Sequence, residues 1–185
     1  RETLVAIIKA SNNIVALTGA GISTASGIPD FRGSNGLWKD QNPAEVATLS
    51  VFKKEPAKFW EFYRNRLDIP TNFQPNGAHK FLTYLEREGK LRAVVTQNID
   101  GLHQAAGVSP EKVYQVHGSL TEVSCYSCGR PSSRDEVYDL IDNSEDSIPH
   151  CPQENCSGVI KPGVVLFEEM MPEEEIAKSY DALAE

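Results

Sequence analysis

The sequence predicts an α/β fold built on a doubly wound parallel sheet, with a small module inserted late in the chain. Two observations predict the sheet. Short buried runs rich in β-branched residues alternate with helical patterns, and the first of these runs ends directly in a Gly-x-Gly turn. The insertion is predicted because all four cysteines fall within residues 125–156. A chain of 185 residues has room for one domain that carries such a module.

The amino-terminal stretch predicts an amphipathic helix followed by a buried strand. Its apolar residues recur at helical spacing: Leu4, Val5, Ile7 and Ile8. The run at 14–18 has strand length and passes at once into Gly19-Ala20-Gly21. A buried strand that meets a Gly-x-Gly turn is typical of a dinucleotide-binding unit, where a phosphate sits at a helix N-terminus.

The remaining elements are predicted from hydrophobic spacing and from proline and glycine stops. The predicted helices lie at 56–67, at 78–88 and from about 172, with short helices within the loop at 34–50 and between Gly101 and Gly107. The predicted strands lie at 91–96, 112–116 and 164–167. The helix at 78–88 is predicted to face inward through Phe81, Leu82 and Leu85. These elements divide the chain into a sheet domain (1–119 and 161–185, with a helical insertion at about 40–76) and a module at 120–160.

Polar residues follow the carboxyl ends of the predicted parallel strands. Gly19–Ser23 follow the first strand, Gln97–Asp100 the second and His117 the third. In a parallel sheet such residues line the ligand crevice. We therefore expect these three segments to surround one site.

The cysteines predict a zinc-binding module. Their pattern is C-x2-C, then 22 intervening residues, then C-x4-C: Cys125, Cys128, Cys151 and Cys156. Two thiol pairs in short turns can present four sulfurs to one tetrahedral ion, and four thiolates leave no open position, so the zinc is expected to be structural. The alternative is two disulfides in a secreted domain, and the confinement of the cysteines to one module weighs against it. His150 is interpreted as a solvated loop histidine.

Composition excludes several classes of protein. Hydrophobic residues make up 40% and charged residues 24%, which favours a packed core over disorder. A net charge of −8 argues against binding nucleic acid by neutralising phosphates. No apolar run approaches the roughly 20 residues of a membrane helix, so we expect a soluble protein with no membrane partner. The chain has no signal-peptide pattern and no starting Met, so we expect a processed chain or a fragment.

Taken together, the motifs resemble those of the sirtuin family of NAD-dependent protein deacylases. The matching segments are TGAGIS (18–23), GIPDFRG (27–33), TQNIDGLH (96–103), HG (117–118), the four cysteines and KPGVVLF (161–167). They span nearly the whole chain. The resemblance implies a Rossmann-like domain with a small inserted zinc-binding module, and a cleft where NAD and an acyl-lysine peptide meet.

The resemblance also implies roles for individual residues. The expected cofactor-binding residues are Gly19, Ala20, Gly21, Ser23, Ile28, Asp30, Phe31, Arg32, Gln97, Asn98, Ile99 and Asp100. His117 and Asn98 are expected to be catalytic, with His117 as the base that activates a ribose hydroxyl near neutral pH. The implied products are free lysine, nicotinamide and O-acyl-ADP-ribose.

A helical pair predicts which acyl group is removed. Tyr63 and Arg66 are three residues apart and share a helix face. The ordinary interpretation is an amphipathic helix with an arginine at its edge. However, the pair resembles that of class III sirtuins, which bind an acyl carboxylate, and Ala47 resembles the small residue of their enlarged pocket. The resemblance thus implies removal of succinyl, malonyl or glutaryl groups in preference to acetyl.

The segment at 161–167 is expected to bind the substrate peptide. Val165 and Phe167 match the family segment that pairs with the peptide as an added strand. The chain departs from the family pattern directly after it, since Glu168 stands where a glycine is usual and Leu166 where an aromatic residue is common. The family also continues past position 185 with strands that hold the adenosine half of NAD. We expect a C-terminally truncated fragment or a degenerate relative that binds NAD weakly and leaves one side of its sheet uncovered.

Several alternatives stay open at this stage. They are a deacetylase of the same family, a non-catalytic NAD or ADP-ribose binder, a zinc-ribbon interaction module and a protein ADP-ribosyltransferase. Reduced thiols that bind zinc suit an intracellular compartment, either mitochondrial or cytoplasmic. No nucleic-acid partner is predicted.

Overall fold

The computed structural model describes residues 2–30, 33, 36 and 42–184. Within them the strands are β1 (Ile14–Thr18), β2 (Leu91–Thr96), β3 (Val113–Gln115), β4 (Gly118–Cys125) and β5 (Ile160–Val164). The α-helices are α1 (Glu2–Ala10), α2 (Leu49–Lys54), α3 (Pro56–Tyr63), α4 (Ile69–Asn72), α5 (Gly77–Arg87), α6 (Leu102–Ala105), α7 (Arg134–Asp142) and α8 (Glu173–Ala184). None of the helices in these ranges is long and apolar enough to cross a membrane.

A parallel sheet in the order β1-β2-β3 forms the centre of the larger part of the fold. Thr18 pairs with Thr96, and Thr96 pairs with Gln115, so the three strands end at the same edge. β2 lies in the middle and is buried almost throughout, as its apolar LRAVVT sequence requires. The predicted α/β class with a parallel sheet is confirmed, and β1 and β2 have the predicted bounds.

β4 and β5 form a separate antiparallel pair beside that sheet. The strand predicted at 164–167 is wrong, because the strand that forms ends at Val164. β4 and α7 are not among the predicted elements, and the mixed GSLTEVSC sequence of β4 has no regular alternation that would indicate a strand. Gly118 begins β4 with φ +72°, and a Cβ there would lie 2.0 Å from the Gly163 carbonyl oxygen. Only glycine permits this approach of the two strands.

Two apolar clusters hold these layers together. The larger packs the helical segment against the antiparallel pair through residues such as Phe59, Trp60 and Ile160. The smaller packs α5 beneath the parallel sheet through Leu82, Leu85 and Val94, among others. Both clusters consist of fully or nearly fully buried side chains. Burial of the apolar face of each element is therefore the main contribution that holds it in place.

Two predicted helices differ in detail from the structure. The helix expected to run to Leu67 ends at Tyr63 and continues as a 3-10 turn over Arg64–Arg66. Phe81 was predicted to face inward, but it is 43% exposed and stacks on Tyr84 with ring centroids 6.2 Å apart. The buried face of α5 includes His79 in addition to Leu82 and Leu85, and this rotates Phe81 outward.

Candidate active site and cysteine cluster

A buried polar network joins the end of β1 to the end of β2. Ser23 Oγ donates a hydrogen bond to Asp100 Oδ2 at 2.6 Å, and Asn98 Nδ2 donates to Ser23 Oγ at 3.1 Å. All three side chains are at most 5% exposed. The predicted convergence of the first two segments is therefore observed.

Local backbone geometry holds the acidic member of this network in place. Asp100 Oδ1 accepts the N–H of Leu102, the first residue of α6, at 2.9 Å. Gly101, between them, has φ +71°. Because both carboxylate oxygens of Asp100 are engaged, the group is fixed in position before any ligand arrives.

Asn76, the residue that caps the N-terminus of α5, also supports the glycine loop after β1. Asn76 Nδ2 donates to the Ile22 carbonyl oxygen at 2.7 Å and to Ser26 Oγ at 2.9 Å. The expected helix after the Gly-x-Gly turn does not form, since the loop contains 3-10 turns at 20–22 and 24–26.

The segment after the loop is placed only in part. Ile28 is buried, and Asp30 Oδ1 accepts the Gly33 N–H at 2.7 Å. Phe31 and Arg32, both expected to bind the cofactor, lie outside the described residues.

His117 adjoins the same site from the end of β3. Its Nδ1 lies 3.1 Å from the Gln97 carbonyl oxygen, and its own carbonyl accepts the Val165 N–H at 2.9 Å. Because a carbonyl oxygen only accepts, this contact assigns the proton to Nδ1 and leaves a lone pair on Nε2. The imidazole is half-buried, and the lone pair on Nε2 is the group that a general base requires.

The proposed acyl-selecting residues lie in the helical segment. Tyr63 is buried and stacks on Phe59 with ring centroids 4.4 Å apart, and this burial raises the pKa of its hydroxyl. Arg66 Nη1 donates to the Phe62 carbonyl oxygen, and its guanidinium carbon lies 3.4 Å from the Phe62 ring centroid. Arg66 Nε is buried and has no hydrogen-bond partner among the described residues. Burial lowers the pKa of Arg66, and the neighbouring Tyr63 opposes that shift.

The expected substrate segment runs beside α2. Phe167 N–H donates to the Ala47 carbonyl at 3.1 Å, and Leu49 N–H donates to the Phe167 carbonyl at 3.0 Å. Ala47 is buried, whereas Phe167 is 53% exposed. The structure thus brings Ala47 and Phe167 together, and the Val165 bond described above joins this segment to His117.

The four cysteine sulfurs form a compact cluster whose geometry fits one metal ion. All lie within 4.8 Å of one another, with Cys125 and Cys156 sulfurs 3.6 Å apart and those of Cys128 and Cys151 3.7 Å apart. These distances exclude disulfides, whose sulfurs lie about 2 Å apart. A tetrahedral ion with zinc–sulfur bonds of about 2.3 Å would place its sulfurs about 3.8 Å apart. The cluster therefore fits one structural zinc ion.

The backbone around the cluster favours the thiolate form of one ligand, Cys125. Burial would raise the pKa of Cys125, but N–H donors of Cys128 and Ser127 and neighbouring thiols lower it to about 7. Burial raises the pKa of Cys151 to about 12. His150 does not take part, because its Nε2 pairs with Asp146 Oδ2 at 2.9 Å. That agrees with its interpretation as a loop residue.

Comparison with known proteins decides the family. The model described as "Sir2 family" matches residues 19–185. The chain belongs to the Sir2 family.

Individual Sir2-related proteins give the same result. The NAD-dependent protein deacetylase of Sulfurisphaera tokodaii is 50% identical over 163 residues, which cover 88% of this chain and 62% of the relative. The NAD-dependent protein deacylase of Thermococcus kodakarensis is 43% identical over 174 residues, covering 92% of this chain and 65% of the relative. The chain thus spans less than two thirds of the length of these relatives.

Solved Sir2 structures share the fold. One is a Sir2 variant with a deacetylated p53 peptide and 3'-O-acetyl ADP-ribose, with a TM-score of 0.88 and 35% identity over 98% of this chain and 71% of that one. Another is Sir2Tm bound to a propionylated peptide, with a TM-score of 0.83 and 32% identity over 98% of this chain and 70% of that one. The expected Rossmann-like sirtuin fold is confirmed.

This Sir2-family chain also buries two histidines that the sequence analysis did not single out. His79 and His103 are at most 1% exposed, and their rings pack edge to face with centroids 5.0 Å apart. His103 Nε2 lies 3.0 Å from Thr18 Oγ1, and His79 Nδ1 accepts the Asn76 N–H at 3.3 Å. Burial lowers the pKa of both, that of His103 to about 4. The sequence feature that could have pointed to His103 is its place as the last residue of the TQNIDGLH motif.

Proposed function

We propose that the protein is an NAD-dependent protein-lysine deacylase. The observation that carries this proposal is the convergence of the Ser23–Asn98–Asp100 network with His117, whose Nε2 is left free to accept a proton. The names of the relatives and the peptide-bound structural neighbours support the same reaction class. The whole protein's substrates and products remain part of this proposal.

The polar groups after β1 and β2 have the chemistry to hold NAD. The residues assigned to it are Gly19, Ala20, Gly21, Ser23, Ile28, Asp30, Phe31, Arg32, Gln97, Asn98, Ile99 and Asp100. The buried amide and carboxylate of Asn98 and Asp100 suit a carboxamide, which both donates and accepts hydrogen bonds. When bound, NAD supplies a ribose whose bond to nicotinamide can be cleaved.

His117 is assigned the role of general base. Its Nδ1–H is held by the Gln97 carbonyl, so Nε2 can accept a proton from a substrate hydroxyl. Asn98, fixed by its backbone bond to Thr96 Oγ1 at 3.0 Å, is assigned to orient the reacting groups. Val165 and Phe167 are assigned to bind the peptide as an added strand.

The direct test is mass spectrometry of acyl-lysine peptides incubated with NAD. We expect loss of the acyl group and release of nicotinamide, both abolished in His117→Tyr. Gain of ADP-ribose on the peptide or protein would instead support a transferase. Binding of NAD without any turnover, unchanged in His117→Tyr, would support a non-catalytic binder.

We further propose a preference for succinyl, malonyl or glutaryl groups over acetyl. The support is the buried Tyr63 beside Arg66, whose Nε has no partner among the described residues and could meet a carboxylate. An alternative is a deacetylase, favoured by the contacts of Arg66 with the Phe62 carbonyl and ring, which give that guanidinium a structural role.

Substitution of Arg66 separates these two candidates. Arg66→Met should lower kcat/KM for a succinylated peptide at least tenfold and leave that for the acetylated peptide within about twofold. Equal losses on both peptides would favour the structural role. An intracellular location also remains a prediction; the relatives reported above are archaeal, so they give no support for a mitochondrial location.

A further inference from the structure

A cavity of about 530 Å³ flanks the segment assigned to the substrate peptide. It lies between the end of β5, the start of α2 and the cysteine module, and it is lined by residues that include Leu49, Tyr126, Val165, Glu168 and Met170. The roles assigned above use Val165 and Cys125 from its lining and leave the interior of the cavity without a role. Because the cavity lies beside Val165, a peptide that binds along the segment at 161–167 could reach it.

The backbone beside the cavity retains unpaired groups. The N–H groups of Leu166 and Phe167 are engaged, the first by Glu169 Oε2 at 2.8 Å and the second by the Ala47 carbonyl. In contrast, the Val165 carbonyl and the Glu168 N–H have no hydrogen-bond partner among the described residues. An extended peptide could pair with the Val165 carbonyl, and alternate side chains of such a peptide enter flanking pockets.

The charge of the cavity is set by one carboxylate. Lys161 Nζ pairs with Glu169 Oε2 at 3.0 Å, and both side chains are mostly buried, so this pair contributes no net charge. Glu168 is exposed and forms no ion pair of 4.0 Å or less with any described residue. Lys54 attracts it weakly from α2, and Lys53 lies over the Tyr126 ring at 5.2 Å.

Glu168 has an unusual backbone conformation, and a backbone N–H of α2 anchors its carboxylate. Its φ is +76°, a region that favours glycine. Its Oε2 accepts the Ser50 N–H at 2.9 Å, at the start of α2. This bond lowers the pKa of the Glu168 carboxyl and anchors one oxygen, so that the charge stays at the rim of the cavity.

We propose that this cavity is a subsite for a cationic side chain, lysine or arginine, located within three residues of the acyl-lysine of the peptide, and that Glu168 selects it. The inference rests on the proposed deacylase function. The spacing follows from the chain, because Val165 bonds to His117 and Glu168 lies three residues further, at most about 10 Å along an extended strand.

The expected effect is modest, because the pair is exposed to solvent. Exposed ion pairs change affinity by factors of about two to five. A peptide with arginine at the favoured position should therefore bind two to five times more tightly than the same peptide with alanine there. The difference should shrink as salt is raised, since exposed charges are screened.

The experiment uses the 185-residue chain and fluorescein-labelled acyl-lysine peptides. Arginine, alanine or glutamate is placed in turn at each of the three positions before and after the acyl-lysine. Fluorescence anisotropy gives Kd independently of turnover, and mass spectrometry of the same peptides gives kcat/KM. Glu168→Gln keeps the acceptor for Ser50 and should reduce the arginine-to-alanine ratio to about one. Lys54→Gln should increase the ratio. Glu88→Gln, which neutralises an exposed acid directly after α5, should leave the ratio unchanged.

The outcomes separate the subsite from the reaction. Turnover without arginine preference at any position, or a preference that survives in Glu168→Gln, would overturn the subsite. A Kd that depends on arginine in wild type but not in Glu168→Gln supports the subsite, even where no acyl group is removed. Such binding without turnover would contradict the proposed function alone. Absence of both binding and turnover would contradict both.

Discussion

Lowering the pH from 7 to 5 should destabilise the fold through His103, which lies between Thr18 and the His79 ring. Burial and, to a lesser extent, the neighbouring His79 lower the pKa of His103 to about 4, and Asp100 partly opposes the shift. Between the unfolded pKa of about 6.5 and the folded value, the unfolded chain binds a proton that the folded protein does not. The stability is therefore present above pH 6.5 and lost as the pH falls toward 4. With these two pKa values, the free energy of unfolding should fall by about 2 kcal/mol between pH 7 and pH 5.

The measurement is urea unfolding at both pH values in buffer with saturating zinc, for wild type and His103→Gln. Zinc release on acidification contributes equally to both proteins, so their difference isolates the imidazole of His103. His103→Gln should lose about 2 kcal/mol less than wild type between the two pH values. Equal losses in wild type and His103→Gln, or an NMR titration of His103 near pH 6.5, would refute the reasoning.

Three further predictions concern packing and the metal. Gly118→Ala should destabilise by about 3 kcal/mol or more, measured by urea unfolding, because its Cβ would meet a carbonyl oxygen at 2.0 Å; Gly129→Ala has the same φ but open space, and it should cost only about 1–2 kcal/mol. Cys151→Ser should lower the zinc-to-protein ratio measured by mass spectrometry well below one, and retention of a full equivalent would contradict four-sulfur ligation. Phe59→Ala should cost about 3–5 kcal/mol, against less than about 1 kcal/mol for the half-exposed Phe81→Ala, and similar losses would show that the buried cluster is wrongly placed.

The parallel sheet was predictable because its sequence pattern is local. The runs at 14–18 and 91–96 are apolar, β-branched and bounded by turn residues, so their limits agree with the structure. β4 could not be predicted in the same way. It combines a glycine required by close strand approach, polar residues facing outward and a cysteine at the metal cluster, and none of these gives a period of two.

The site was predictable as an assembly of strand ends but not as a set of contacts. The rule for parallel sheets placed the three segments together, and the structure brings them into hydrogen-bonding contact. The bond between Ser23 and Asp100 joins residues 77 positions apart and depends on loop geometry that no local pattern encodes. The same applies to His79 and His103, because each resembles an ordinary helical histidine until α5 and α6 are packed together.

The orientation of His117 has a consequence for how the protein tolerates sequence change. The group that fixes its imidazole is the main-chain oxygen of residue 97, which every amino acid possesses. Replacing the Gln97 side chain therefore leaves the tautomer intact, and only a shift in the path of the polypeptide after β2 could reverse it. The position of the ring proton is thus determined by the main chain, and side-chain substitutions at position 97 leave the accepting oxygen in place.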